Sequence, residues 1–311
     1  MDKQKILAIV GPTASGKTKV AVDLAFQLQT EIISGDSRQV YRGMDLGTGK
    51  DLDEYFVNGV QIPYHLIDIV EAGYKYNIYE YQNDFFEAYK IISQQNKLPI
   101  LCGGSGLYVQ SVLQNYNLLS VPPNSQLQQK LEDKSLEELS QILKTYKTVH
   151  NRSDTETQRR AIRAIEIADY QKTHTKESVA LPRLSALIIG VDISREARRE
   201  KISRRLKTRL EEGMIQEVEK LLKTVSPEVL IYYGLEYKYI SLHLIGELSY
   251  ADMVSQLEIA IHQFAKRQMT WYRGMERKGI KIHWLDSRWS SEQKNEYILD
   301  LINQPDNFIQ N

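Results

Sequence analysis

The residues best equipped for chemistry lie near the amino end. Gly11, Pro12, Thr13, Ala14, Ser15, Gly16, Lys17 and Thr18 complete a Gly-x-x-x-x-Gly-Lys-Thr pattern. Glycines let consecutive N–H groups curl around phosphate oxygens, a helix start adds partial positive charge, and the lysine neutralises the outer phosphates. Thr18 is placed to offer its hydroxyl to Mg²⁺. The pattern names a polyphosphate ligand but no reaction, because ATPases, nucleotide kinases and other pyrophosphate users share it.

Further groups accompany this loop. Asp36 follows the apolar Ile32-Ile33-Ser34, so in a parallel sheet its carboxylate falls at the carboxyl edge beside the phosphate loop. The simpler role for Asp36 is a cap at the strand end. Ser37, Arg38, Gln39, Val40, Tyr41 and Thr48 belong to a segment rich in hydrogen-bonding groups, aromatic surface and charge, suited to gripping a base and its backbone. Gly103-Gly104-Ser105-Gly106 forms a second glycine-rich turn, whose Ser105 can donate to a phosphate or a bridging oxygen. Cys102 just before it reads as a buried strand residue. Arg195–Arg209 holds eight basic residues, Arg205 among them, opposed only by Glu196 and Glu200. Such a run is either a solvated helix face or an anion-binding surface. Arg159, Arg160 and Arg163, with Lys266, Arg267 and Arg273, extend the same polyanion surface. Asp192, at the end of the apolar Leu187–Val191, reads as a structural carboxylate, and the six histidines show no metal spacing.

These groups need a scaffold. Apolar runs at 5–10, 32–34, 99–102 and 184–191 read as buried strands. Helical spacing marks 18–28, 195–223 and 251–273, with a short helix after Ser287. The alternation predicts an α/β fold: a P-loop parallel sheet flanked by helices. Residues 116–182 are polar and poor in strand signals, opened by Pro122-Pro123 and closed by Pro182, with helices expected near 125–145 and 155–171. They read as a helical insertion domain, set between core segments 1–115 and 183–311. Among 311 residues, 42% are hydrophobic and 26% charged, which excludes a disordered or collagen-like chain. Net charge is +0, so the whole-chain charge announces no nucleic-acid partner. One cysteine permits no internal disulfide and suits a reduced, cytoplasmic setting. No apolar stretch approaches the roughly 20 residues that span a bilayer, so no membrane role is expected.

Taken in order, Gly11–Thr18, Asp36-Ser37 through Gly47-Thr48-Gly49-Lys50, Pro63–Asp68 and Gly103–Tyr108 resemble the tRNA dimethylallyltransferase family. So do Gln158-Arg159 with Arg163–Glu166, and Lys266-Arg267-Gln268-Met269-Thr270-Trp271. The resemblance implies transfer of a dimethylallyl group from its diphosphate to N6 of the adenosine immediately 3′ of the anticodon. By motif position, Asp36 resembles the base that accepts the amino proton, Ser105 a group on the bridging oxygen, and Arg205 an arginine on the diphosphate. Gln158, Arg159, Arg163, Lys266, Arg267 and Gln268, with Ser37–Tyr41 and Thr48, are then expected on the tRNA anticodon stem-loop. Mg²⁺ is the implied cofactor and a monomer the expected state. An adenylate isopentenyltransferase and a P-loop small-molecule kinase are the competing readings. Two departures, Gly234-Leu235-Glu236 and Thr155-Glu156, are expected outside the reaction centre.

Overall fold

Ile6–Val10 are all buried, because the strand that holds them is covered on both faces. The computed structural model describes residues 4–146, 152–174 and 181–310. Its strands are β1 Lys5–Val10, β2 Ile32–Ser34, β3 Tyr41–Arg42, β4 Phe56–Val57, β5 Val60–Gln61, β6 Tyr64–His65, β7 Val70–Glu71, β8 Ile100–Gly103, β9 Ser185–Gly190, β10 His283–Trp284 and β11 Ile309–Gln310. Its helices are α1 Lys17–Gln27, α2 Ile78–Gln94, α3 Gly106–Leu113, α4 Ser125–Leu131, α5 Leu136–Tyr146, α6 Gln158–Thr173, α7 Arg195–Glu211, α8 Met214–Leu221, α9 Pro227–Tyr233, α10 Leu235–Leu244, α11 Tyr250–Arg277 and α12 Ser291–Ile302.

The main sheet runs β10-β9-β1-β8-β2-β6, parallel along this path, with β11 antiparallel on β9. Register aligns Val10 with Gly103 and with Gly190, and Ser34 with Cys102. The turns that follow β1, β2 and β8 therefore leave from one edge. Side-chain alternation splits the core. Ile6, Ala8 and Val10 pack with α2, α3, α7 and α11, while Leu7 and Ile9 pack with α1 and α12 on the other face.

Contacts divide the chain into two compact units, Met1–Tyr116 with Leu181–Asn311 and Asn117–Ala180. In the second, α4, α5 and α6 bury Leu131, Leu139, Leu143, Ala161 and Ile165. Two expected helices are each broken. The stretch 125–145 is interrupted before α5, where Ser135 and Glu138 exchange hydrogen bonds as a capping box, Ser135 N–H to Glu138 at 2.8 Å. The stretch 195–223 breaks at Gly213, whose φ of 105° is left-handed and ends the α7 direction. Helix α2 escaped the sequence reading, although its signals were present. Asn77 and Glu80 form a capping box, and Tyr81, Phe85, Phe86, Tyr89 and Ile92 recur at helical spacing.

Candidate active site

The phosphate loop takes the shape its glycines permit. Gly16 sits at φ 89° as the residue before α1. A Cβ on Gly11 would lie 2.1 Å from the Val191 carbonyl oxygen, so only glycine lets β1 turn out beside β9. The Ser15 hydroxyl is buried with no hydrogen-bond partner among the described residues. An orphaned donor inside such a loop matches a ligand that brings acceptor oxygens. Among the described residues, the one hydrogen bond Lys17 Nζ makes is a 3.4 Å contact to the Pro12 carbonyl.

The loop opens onto a cavity of about 400 Å³ lined by Lys17, Thr18, Asp36, Gln39, Thr48 and Arg205, among others. Burial pulls the Lys17 ammonium below its ordinary value, and the nearby Asp36 carboxylate acts the other way. Burial, then the Arg209 charge, lowers Arg205 to about 10, which still leaves it cationic at neutral pH. Two desolvated cations beside a glycine loop make an anion site that a diphosphate would neutralise. Glu54 shares the cavity, its carboxyl raised by desolvation and then by Asp51.

Asp36 Oδ1 accepts the Arg38 N–H at 2.8 Å, so its turn role and its place on the cavity wall coexist. Ser105 Oγ accepts the Ser37 N–H at 3.1 Å and lies 3.3 Å from Ser37 Oγ, tying the second glycine turn to the residue after Asp36. Arg205 hydrogen-bonds Thr13 Oγ1, joining α7 to the phosphate loop. Asp192 is structural: Arg198 holds it at 2.6 Å.

Some expected RNA contacts are corrected. Val40 and Tyr41 are fully buried, Tyr41 against the Tyr233 ring at 4.4 Å, so they build the core and cannot face an RNA chain. Gln268 is also buried, accepting from the Thr13 N–H at 2.8 Å and donating to the Gly104 carbonyl at 2.9 Å. Gln39 lines the cavity and donates to the Gly49 carbonyl at 3.1 Å. Arg38 lies half-buried, donating to the Tyr232 carbonyl at 3.3 Å. Gln158 donates to the Lys134 carbonyl at 2.9 Å, and Arg163 to the Val121 carbonyl at 2.7 Å. Arg159, Lys266 and Arg267 are exposed. Of the basic run on α7, Lys201, Arg204 and Arg205 line the cavity, whereas Arg209 is buried on Asp51 at 2.8 Å. Glu236, expected outside the reaction centre, is instead within electrostatic reach of Arg205, Arg209 and Asp36, and its carboxyl is raised by burial.

Two supporting carboxylate and ammonium sites were missed. Glu217 accepts the N–H groups of Asp45 at 2.9 Å, Leu46 at 2.7 Å and Gly47 at 3.1 Å, plus the Tyr237 hydroxyl at 2.7 Å. Lys50 is buried, holding the Tyr41 carbonyl at 2.8 Å, Asp45 at 2.7 Å and Asp68. Both pin the loop that carries Thr48 and Gly49 to the cavity wall. No local spacing could announce Glu217, which sits in an ordinary amphipathic helix.

Comparison with known proteins agrees with this geometry. The IPP transferase family profile matches residues 39–275. A tRNA dimethylallyltransferase 2 of Phocaeicola vulgatus is 61% identical over 303 residues, covering 97% of this chain and 99% of the relative. A tRNA dimethylallyltransferase 1 of Parabacteroides distasonis is 59% identical over 304 residues, covering 97% and 99%. The tRNA isopentenylpyrophosphate transferase of Bacillus halodurans superposes with a TM-score of 0.70 at 30% identity, covering 97% of this chain and 96% of that one. A eukaryotic dimethylallyltransferase acting on tRNA shares the fold at 23% identity and a TM-score of 0.76, covering 96% and 79%. A phosphate loop opening on a cation-lined cavity, together with likeness along nearly the whole chain, leads to one conclusion: the protein belongs to the IPP transferase family.

Proposed function

We propose that this protein transfers a dimethylallyl group from dimethylallyl diphosphate to N6 of the adenine immediately 3′ of the anticodon in tRNA. The observation that carries this reading is one cavity holding Lys17, Thr18 and Arg205 together with the Asp36 carboxylate. A small-molecule kinase also uses such cations with a carboxylate, so the cavity alone fits either chemistry and the likeness to prenyltransferases favours the transfer. The names of the relatives, tRNA dimethylallyltransferases, support it.

The exocyclic amine attacks the primary allylic carbon while the carbon–oxygen bond to the diphosphate breaks. The departing electron pair stays on the diphosphate, where Lys17, Arg205 and the loop N–H groups stabilise it. Asp36 accepts the amine proton. A purine stacked in an anticodon loop must first be extruded, at a cost of a few kcal/mol. We assign the RNA backbone to exposed cations, Arg159 on α6 and Lys266 and Arg267 on α11. Such contacts neutralise phosphates and make binding fall with salt.

Thr18 is the residue we assign to Mg²⁺. Among the described residues no cluster of three His, Cys, Asp or Glu makes a metal cage. The Thr18 hydroxyl on the cavity wall would hold the ion beside the phosphates it neutralises. When bound, Mg²⁺ supplies extra charge stabilisation for the diphosphate. Among the described residues no helix is long and apolar enough to cross a membrane, and tRNA as acceptor makes the cytoplasm the working compartment.

The test is incubation with labelled dimethylallyl diphosphate and unmodified tRNA, with free AMP as acceptor and ATP turnover run in parallel. Label in tRNA alone is the expected result. Label in AMP alone marks an adenylate transferase, and ATP turnover without prenyl transfer marks a kinase; either overturns the proposal.

A further inference from the structure

We propose that Gln268 is a positioning residue for the transfer, holding the two glycine turns at the separation the reaction needs. This rests on the reaction proposed above. Thr13 N–H donates to Gln268 Oε1 at 2.8 Å, and Gln268 Nε2 donates to the Gly104 carbonyl at 2.9 Å. One buried amide thus joins the phosphate loop after β1 to the turn after β8. A side-chain amide carries an acceptor oxygen and a donor nitrogen on one carbon, so it satisfies an N–H on one side and a carbonyl on the other.

What hangs on each end gives the bridge its meaning. Thr13 also takes Arg205 through its hydroxyl, so the end bonded to Gln268 carries a cation of the cavity. Gly104 precedes Ser105, whose Oγ accepts the Ser37 N–H at 3.1 Å, and Ser37 follows Asp36. The amide therefore links the side that grips the diphosphate to the side that carries the proton acceptor. Neighbouring residues of α11 reinforce the grip. Tyr272 donates to the Gly103 carbonyl at 3.3 Å, and the Trp271 ring covers Gly106 so closely that a Cβ there would lie 2.4 Å from it. The bridge lets α11 set the spacing of leaving group and base without touching either.

Two variants test this. Gln268→Met keeps length and apolar bulk but makes neither bond. Gln268→Glu, when ionised, accepts from Thr13 but sets a second acceptor against the Gly104 carbonyl; when protonated, it regains the donor. Measured are inorganic diphosphate affinity, tRNA affinity, kcat at saturating tRNA, and thermal melting. For Gln268→Met, kcat falls about 10²-fold, the scale of a 1 Å misalignment. Diphosphate affinity falls about tenfold and tRNA affinity stays within about twofold. For Gln268→Glu, the ratio of variant to native activity rises as pH falls. The charged groups of the cavity, Lys17, Arg205 and Asp36, are present in both proteins, so a change in the ratio reports the substituted carboxyl. The pH ratio carries the test if the methionine variant does not fold.

A kcat within about threefold of native in Gln268→Met, or a loss confined to tRNA affinity, overturns the inference, the latter in favour of an RNA contact. A flat pH ratio in Gln268→Glu overturns it as well. A native protein that neither binds diphosphate nor transfers label defeats the underlying reaction instead, so the two failures separate.

Discussion

Replacing Asp36 with asparagine isolates proton acceptance from everything else the residue does. The carboxylate makes one local bond, Oδ1 accepting the Arg38 N–H at 2.8 Å, and asparagine keeps that oxygen. The turn after β2, the Ser105–Ser37 contact and the cavity wall should all survive. The substituted amide cannot take the amine proton. A positioned base contributes typically about 10²–10⁴-fold, or about 2.7–5.4 kcal/mol of barrier. Lys17 loses one supporting negative charge, but the diphosphate supplies others, so donor affinity should change by less than about threefold. Single-turnover transfer to unmodified tRNA, with saturating donor and enzyme in excess, reads the chemical step alone. The expected result for Asp36→Asn is a rate lower by about 10²-fold or more, with tRNA affinity intact. A single-turnover rate within a few-fold of native refutes the assignment of Asp36 as base. Loss of donor binding in proportion to rate refutes the claim that its role is confined to the proton.

Lys50→Met should lower stability by about 3 kcal/mol in urea unfolding, the lower end for a broken buried ion pair, because the partners Asp45 and Asp68 stay 58% and 34% exposed and can rehydrate. An unchanged midpoint would show that the ammonium merely fills space. Glu217→Gln places an NH₂ against one pair of the donors its two oxygens now accept, at about 1–3 kcal/mol, read in the same unfolding assay. Full stability in that variant would show that the loop holds itself. Burial pushes the Cys102 thiol up to about 12, so the neutral thiol persists well above neutral pH. A thiol reagent at about pH 8 should label native protein at least about 10²-fold more slowly than urea-unfolded protein. Rapid native labelling would reveal access that the buried side chain denies.

Local patterns carried the fold class and the heart of the site. The phosphate loop is one continuous stretch, and its glycines dictate a backbone path without help from distant residues. Strand ends were equally readable, because apolar runs closed by Gly35-Asp36 and Gly103-Gly104 report burial and turn together. Once a parallel sheet is granted, those ends share an edge, and Asp36 reaches the loop by register alone. Helix breaks were harder: the Ser135 capping box and the left-handed Gly213 interrupt patterns whose periodicity continues across them. Helix α2 was missed although its cap and aromatic stripe were present.

Folding alone assigned the polar side chains that bind the site together. Gln268 reads in sequence as one more polar residue in a basic stretch, suited to RNA. It meets Thr13 across a separation of 255 residues, inside the protein. Val40 and Tyr41 belong to a segment of surface-like composition, yet the fold buries them. Glu217 finds its partners only when α8 meets the loop after β3, and Lys50 reaches Asp68 only when that loop packs against the residues after β6. Hydrophobic periodicity records which face a chain segment buries. It carries no record of the donor or acceptor that a polar group will meet there, because that partner arrives from elsewhere in the chain.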